Sequence, residues 1–429
     1  MVAPRRGQLP LNTARAMIMH IDLNSCFATV EQQAHVTLRG RPVAIVNRLG
    51  NHAAIITASY EAKARGVGTG MRTHEAKRLC PGLVVLESDP PKYRYVYHQL
   101  MRIMSEYSAH VRMKSIDEGV IDMTEAPPET RARDMLAIGR EIKQRLYSEV
   151  GQAMRCNVGV GPNRFLAKTA ASLHKPDGLT LIDHTTLAQQ LGQLRLTDLT
   201  GIAERTAAKL RAVGITTPTE FLAADEATLR QLVFKSIDGS KWYQRLRGYE
   251  VDKRDSPLRT AGRQYVLESR QLTSEQILQR LHQLCEEVGA KIRQAGVWAR
   301  GVQVHARGGH RRQGSGSAAQ ASHSGYWQAR HMEPAPFSSN QAIYTLARQL
   351  WAGAPDDVRE IGVTCYQLTP AGSRQLLLFG DDIASNAQLT ASIDAINQRF
   401  GDRTIHSAHT LSQQSRITRK IPFGSTRYL

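Results

Sequence analysis

Through residues 1–182, apolar runs of strand length alternate with stretches of helical spacing, and that alternation restricts this part of the chain to an α/β architecture. Residues 17–23 (MIMHIDL) read as a buried strand, followed by an amphipathic segment at 27–33. Residues 43–46 and 54–57 read as short strands. The helical spacing of 58–80 is broken by Gly66, Gly68 and Gly70, and with the two short strands before it this stretch reads as a small inserted subdomain. A long helix over 92–109 leads to strands at 111–114 and 120–123, a hairpin around Ser115-Ile116-Asp117-Glu118. A helix at 132–150, a buried strand at 156–160 and a helix at 162–173 that opens on a proline complete the order β-α-β-β-α-β.

Residues 183–250 read as a separate helical bundle, with 194–199 and 201–215 among its helices, and the polar stretch 251–257 reads as a linker. Strand and helix patterns resume at 264–267, 274–295, 301–306, 340–351 and 359–368, so the last unit is again α/β, with a polar hairpin loop at 308–325. At about 150 residues per domain, the 429 residues suggest three units. The formal charge is +18, from 56 Lys plus Arg against 38 Asp plus Glu, and between 256 and 330 the ratio is 11 to 4. Such an excess points to a polyanionic partner. The five cysteines are scattered without a CxxC pair, which disfavours disulfides and structural zinc. No apolar run approaches the roughly 18 residues of a membrane span, and the opening 15 residues lack the apolar core of a signal peptide; a cytoplasmic protein with no membrane partner is expected.

The chemistry-bearing positions are Asp22, at the end of the first strand, and the adjacent pair Asp117-Glu118, at a turn between two strands. An isolated carboxylate at such a place is ordinarily just solvated. In a β-α-β-β-α-β unit, however, the first and third strands lie side by side, so Asp22 and Asp117 can face one cleft and share divalent cations. Oxygen ligands of this kind suit Mg²⁺, and a pair of such ions can activate a hydroxyl and neutralise a leaving pyrophosphate.

Four collinear stretches supply the context: DLNSCFATVE at 22–31, ASYEAKARGV at 58–67, SIDEGVIDMT at 115–124 and VGVGPNRFLAKTAASLHKPDG at 158–178. Together they resemble the Y-family translesion DNA polymerases, and the resemblance runs through most of the chain. It implies a right-hand, multidomain α/β polymerase: a ferredoxin-like palm at 1–34 and 92–182, small fingers at 35–91, a helical thumb at 183–250, a linker at 251–257, an α/β little finger at 258–370 and a tail at 371–429. It implies that Asp22, Asp117 and Glu118 are the catalytic carboxylates and that, with the carbonyl of Leu23, they hold two Mg²⁺ ions, with Mn²⁺ as an alternative. Phe27 matches the residue that excludes a 2′-hydroxyl from the incoming sugar, and Tyr60, Lys63 and Lys168 match positions that grip the triphosphate. Lys63 stands where the family usually has Arg, which gives up a planar bidentate grip. Cys26 replaces a common aromatic.

The segment LTGIAERTAAKL at 199–210 reads as a helix-hairpin-helix that presents backbone N–H groups to DNA phosphates. Its candidate DNA contacts are Gly201, Ala203, Arg205 and Lys209, with Ala203 where a second glycine is usual. Beyond the last unit, Gln375, Leu376, Leu378 and Phe379 resemble the peptide by which bacterial polymerases dock on the sliding β clamp. In the tail, Leu389, Ile393, Ile396 and Phe400 recur at helical spacing. The implied function is template-directed synthesis past lesions on primer-template DNA from deoxynucleoside triphosphates, by a monomeric, distributive enzyme without proofreading. Two alternatives stand beside it: a nucleotidyl cyclase, which needs no duplex-binding thumb, and a non-catalytic scaffold that recruits another polymerase, which would lack the metal carboxylates.

Overall fold

The computed structural model describes residues 9–253, 258–269, 271–308, 325–371, 383–401 and 403–410. The chain divides between Asp255 and Ser256 into two compact units rather than the three that length suggests.

The first unit opens with β1 (Ile18–Leu23), α1 (Cys26–Ala34), β2 (Val43–Val46), β3 (Ile55–Ala58), α2 (Tyr60–Lys63), α3 (Thr73–Leu79), β4 (Val84–Glu87) and α4 (Pro90–Ser105). It continues through β5 (Val111–Met113), β6 (Glu118–Asp122), α5 (Pro128–Ala132), α6 (Met135–Arg145), β7 (Cys156–Gly161), α7 (Arg164–Leu173) and β8 (Leu179–Leu181). Its main sheet has the order β5-β6-β1-β7-β8, so the first and third strands of the pattern are neighbours, with β8 added in parallel beside β7. The expected helix at 132–150 is two helices. Asp134 restarts the helix by accepting from the backbone N–H groups of Leu136 and Ala137, and a wider turn then runs to Val150. Asn163, not Pro162, caps α7, its Oδ1 accepting from Leu166 N at 2.8 Å. Between β1 and α4 lies a second sheet of order β3-β2-β4, which has its own small core of Ala44, Val46, Ile55, Ala62, Ala76 and Cys80.

Next come α8 (Leu187–Gly192), α9 (Glu204–Arg211), α10 (Pro218–Ala223) and α11 (Asp238–Leu246). They do not form a separate bundle. Their core of Leu191, Leu210, Phe221 and Trp242 is continuous with Phe165, Leu166 and Ala170 of α7, and Phe165 meets the Trp242 ring edge-on at 5.3 Å. A shared core of this kind merges the helices with the sheet domain, which is why two units are found.

The second unit contains β9 (Thr260–Val266), α12 (Ser274–Gln294), β10 (Val297–Arg307), β11 (Tyr326–Phe337), α13 (Asn340–Trp351), β12 (Glu360–Tyr366), β13 (Thr369–Pro370) and α14 (Ile383–Phe400). The sheet order is β11-β10-β12-β9, with β13 paired to β10. Ile277, Leu281, Leu284, Val288 and Ile292 form the apolar stripe of α12 and meet Ile343 and Ala347 of α13 over the sheet. In α14, Leu389 and Phe400 are exposed, so the helical spacing seen in the tail is not a buried stripe. Asp394 of that helix instead takes a two-pronged bond from Arg293, at 2.6 and 2.8 Å.

Candidate active site

In the main sheet Asp22 stands opposite Glu118 on β6 and opposite Asn157 on β7. The two-residue period of a strand sends Met19, Ile21, Leu23 and Ile121 into a core with α4 and α6. It leaves Ile18, His20 and Asp22, with Glu118, Val120 and Asp122, on the opposite face. On that face α7 sits close, with Ala167 against Ile18 and Val120. The approach depends on two glycines of the VGVG stretch: a Cβ at Gly159 would lie 2.1 Å from the Ala167 carbonyl oxygen, and one at Gly161 would lie 2.6 Å from Ala167 N.

At the open end of β1 is a cavity of about 340 Å³, lined by Asp22, Leu23, Cys26, Phe27, Tyr60, Lys63, Asp117 and Lys175 among others. The backbone N–H of Leu23 donates to the Asp117 carbonyl at 2.8 Å, which locks the turn carrying Asp117 to the end of β1. Burial raises the Asp117 carboxyl above the usual carboxylate range, and the nearby negative charges of Asp22 and Glu118 raise it further; the Ser115 hydroxyl that donates to it offsets this in part. Glu118 behaves oppositely. Burial alone would push it up, but His20 Nε2 at 3.2 Å and Lys168 Nζ at 2.8 and 3.0 Å outweigh that and hold it at about 2. Lys175 Nζ donates to Asp22 Oδ2. Asp22 and Asp117 therefore share the cavity, whereas Glu118 is turned to α7 and does not line it. Among the described residues no group of three His, Cys, Asp or Glu side chains stands ready-made around one point. Two of the three carboxylates are each neutralised by a lysine, Asp22 by Lys175 and Glu118 by Lys168. The donor set itself is all oxygen, which is what a hard divalent cation takes.

The nucleotide-side residues divide in the same way. Tyr60 and Lys63 line the cavity, with Lys63 Nζ on Ser25 Oγ at 2.8 Å and 4.6 Å from the centre of the Tyr60 ring. Burial and the nearby Lys175 charge lower the Lys63 amine below its ordinary value. Lys168 is outside the cavity, on Glu118; the cation inside is Lys175, which sequence reasoning passed over. Its only sequence signal was its place in the same quoted motif, ahead of Pro176, where the resemblance was carried over to Lys168 instead. Asn24, also not singled out, organises this wall: its Nδ2 donates to the Tyr60 hydroxyl at 3.2 Å and its Oδ1 accepts from Asp177 N at 2.9 Å, in the turn that carries Lys175. Phe27 is 7% exposed and stacks on Tyr93, with ring centres 4.3 Å apart and planes at 9°. The Tyr93 hydroxyl donates to Glu31 Oε1 at 3.0 Å, and Lys92 bonds Oε2 at 2.9 Å. Cys26 is buried, and burial, then Asp117 and Asp22, raise its thiol far above its ordinary value.

Gly201 has φ +94° and faces Trp242, whereas Ala203 is extended at φ −90° and precedes α9, so no positive φ is required there. Arg205 and Lys209 are exposed one helical turn apart on α9. Gln375, Leu376, Leu378 and Phe379 lie outside the described residues, as does most of the 308–325 loop. No helix among the described residues is long and apolar enough to cross a membrane.

Residues 21–172 match the impB/mucB/samB family, and residues 262–378 match the C-terminal domain of that family. The DNA polymerase IV 1 of Bacillus subtilis (strain 168) is 30% identical over 420 residues, which cover 95% of this chain and 96% of that one. DNA polymerase IV of Moorella thermoacetica is 31% identical over 413 residues, covering 92% and 96%. Among solved structures, a Y-family DNA polymerase chimera of Dbh and Dpo4 superposes with a TM-score of 0.64 at 23% identity, over 82% of this chain and 99% of that one. An insertion ternary complex of Dbh DNA polymerase gives 0.55 at the same identity and coverage. The fold is thus that of a multidomain Y-family polymerase. With the match running through both units and almost the full length of these relatives, the chain belongs to the impB/mucB/samB family, the Y-family DNA polymerases.

Proposed function

We propose that this polymerase extends primers across damaged template bases with low fidelity and no proofreading, using Asp22, Asp117 and Glu118, with the Leu23 carbonyl, to hold two Mg²⁺ ions. The observation that carries this is the shared cavity in which Asp22 and Asp117 face the cations Lys63 and Lys175 beside Phe27. When bound, two such ions, Mg²⁺ or Mn²⁺, supply Lewis-acid activation of the primer 3′-hydroxyl and neutralise the departing pyrophosphate. The chain's own residues do the positioning. Lys175, Lys63 and Tyr60 oppose the negative charge of the triphosphate, while Phe27, on its Tyr93 platform, meets the sugar. Lys168 keeps Glu118 ionised beside the cavity, which is its closer role here than direct grip on the triphosphate.

We assign the palm to 1–34 and 92–182, the fingers to 35–91, the thumb to 183–250 and the little finger to 258–370. Gly201, Ala203, Arg205 and Lys209 would contact the duplex backbone, and Gln375, Leu376, Leu378 and Phe379 would dock the sliding β clamp. The enzyme would act as a monomer on cytoplasmic DNA. Support for the clamp and thumb roles comes from sequence and, for the thumb, from the exposure of Arg205 and Lys209 on α9.

The test is primer extension on undamaged and damaged templates with all four deoxynucleotides and Mg²⁺. Replacing a charged ligand should cost several kcal/mol, so Asp117→Asn should slow single-nucleotide insertion by about 100-fold or more. An Asp117→Asn chain that extends at the wild-type rate refutes the ligand assignment. A wild-type chain that binds primer-template yet adds no nucleotide favours the scaffold reading.

A further inference from the structure

The face of α7 that carries Lys168 also carries Arg164, one turn earlier, and Arg164 is absorbed by none of the roles above. Its side chain is 11% exposed, and its two Nη atoms part company. One reaches Asp122 Oδ2 on β6 at 3.2 Å, four residues along the strand from Glu118; the other reaches Glu250 Oε2 at 2.7 Å. Among the described residues the Nε is buried and makes no hydrogen bond, so the bonds of the guanidinium are the two to these carboxylates. The backbone N–H of Arg164 donates to the same Glu250 oxygen at 3.1 Å.

Neighbouring bonds converge on the same stretch. Asn163 Nδ2 donates to the carbonyls of Arg245 and Tyr249 at 2.8 and 2.9 Å. Arg245 holds Asp252 through two bonds, at 2.8 and 2.6 Å, and Asp252 N donates to Glu250 Oε1 at 2.8 Å. Two residues beyond Asp252 the chain enters the short span in which it crosses from the first compact unit to the second. Arg164 therefore joins β6, the strand that begins at Glu118, to Glu250, shortly before the crossing.

We infer that Arg164 is a positioning residue for primer-template binding, acting through Glu250 and Asp122 to fix the point from which the second unit is tethered. The inference rests on the polymerase reading. Two nucleic-acid-binding bodies on one chain grip a duplex as a chelate, and the effective concentration of the second falls as its tether lengthens. Loss of the Arg164 bridge removes the Glu250 anchor, leaving the stretch after α11 to the bonds from Asn163 and Arg245, and loosens that tether from the first unit's side. The bridge touches no residue lining the cavity, so the chemical step at saturating DNA is left alone.

Steady-state insertion kinetics and primer-template affinity should be measured for Arg164→Gln, Arg164→Lys, Glu250→Gln and the Arg164→Gln/Glu250→Gln pair, alongside thermal midpoints. Arg164→Gln should weaken primer-template binding about 5-fold, with kcat at saturating DNA within about twofold of wild type. Arg164→Lys, whose single ammonium cannot span both carboxylates as the forked guanidinium does, should recover only part of the loss. Glu250→Gln should match Arg164→Gln, and the double variant should be no worse than either, because both remove the same bridge. A fall in kcat with unchanged DNA affinity, additive losses in the double variant, or affinities equal to wild type throughout would each overturn the inference. The Lys and Glu250 variants keep it testable should Arg164→Gln fail to fold. A wild-type chain that binds primer-template without extending it would sink the polymerase reading, while the affinity comparison would still judge Arg164.

Discussion

At the scale of single residues, the sugar selection proposed for Phe27 would depend on more than the bulk of its own ring. A side chain can act as a steric wall only if it cannot swing aside, and Phe27 is held by a near-parallel stack on Tyr93, which is itself held by Glu31 and Lys92. An aromatic pair of this kind contributes about 0.5–1.5 kcal/mol beyond its burial. Tyr93→Leu should therefore raise ribonucleotide over deoxyribonucleotide insertion by about 2- to 10-fold, less than Phe27→Ala, and Tyr93→Phe should keep most of the selectivity because the stack survives. Competition between the two nucleotides in single-turnover insertion measures this; unchanged selectivity in Tyr93→Leu would show that Phe27 is fixed by something else. That Asp22 and Asp117 come to one cavity was legible in the sequence because strand order and register decide which side chains meet, whereas the turn of Glu118 toward α7 was not. Lys175 was not, because its entry into the cavity is decided by the turn after α7 and by Asn24, a contact 153 residues away between Asn24 Oδ1 and Asp177 N.

At the scale of elements, the sheet face beside the cavity is shaped by the contact of β7 with α7. Helices normally lie on sheets through side chains, but here the missing Cβ atoms of Gly159 and Gly161 let backbone approach backbone, and this brings Lys168 within reach of Glu118 and Arg164 within reach of Asp122. Gly159→Ala would place a methyl 2.1 Å from the Ala167 carbonyl oxygen and 2.2 Å from Ala171 N. Neither is a flexible side-chain end that could turn away, so α7 itself must lift. An overpacked core site of this kind costs about 1–3 kcal/mol. Gly159→Ala should lower the unfolding midpoint by several degrees, and any folded fraction should insert nucleotides more slowly because Glu118 loses its partner. A variant as stable and active as wild type would mean that the close approach is unimportant. The glycines were visible in the sequence, but their purpose was not, since a glycine in a strand reads equally as a bulge or a weak point. The strands that sequence reading passed over have their own causes. β4 and β8 are only four and three residues long, and β11 is an edge strand interrupted by Pro334 and Pro336, which edge positions tolerate and central ones do not.

At the scale of the whole molecule, the count of 56 Lys plus Arg overstates the cations available to DNA, because many arginines are committed internally to carboxylates. Arg145 pairs with Glu106 and Glu149, Arg263 with Glu287, Arg293 with Asp394 and Arg403 with Glu286. These pairs hold each unit together and release no counterions when a duplex binds. The separation between structural and available cations is not legible in composition; it emerges only once register and helix packing have set the pairs. Arg205 and Lys209 stand apart from those pairs, exposed on one face of α9 after the Gly201 turn. Each phosphate neutralised by such a cation contributes about 0.9 to the slope of log affinity against log salt. Primer-template binding should therefore weaken steeply between 50 and 200 mM salt, by about 10³-fold if roughly six phosphates are contacted. Arg205→Gln with Lys209→Gln should lower the slope by about 2, equally on all template sequences, because phosphate contacts carry no sequence information. Anisotropy titrations at several salt concentrations read both quantities. A slope that the double substitution leaves untouched would remove α9 from the duplex interface, and an affinity indifferent to salt would mean that the net charge has no part in gripping DNA.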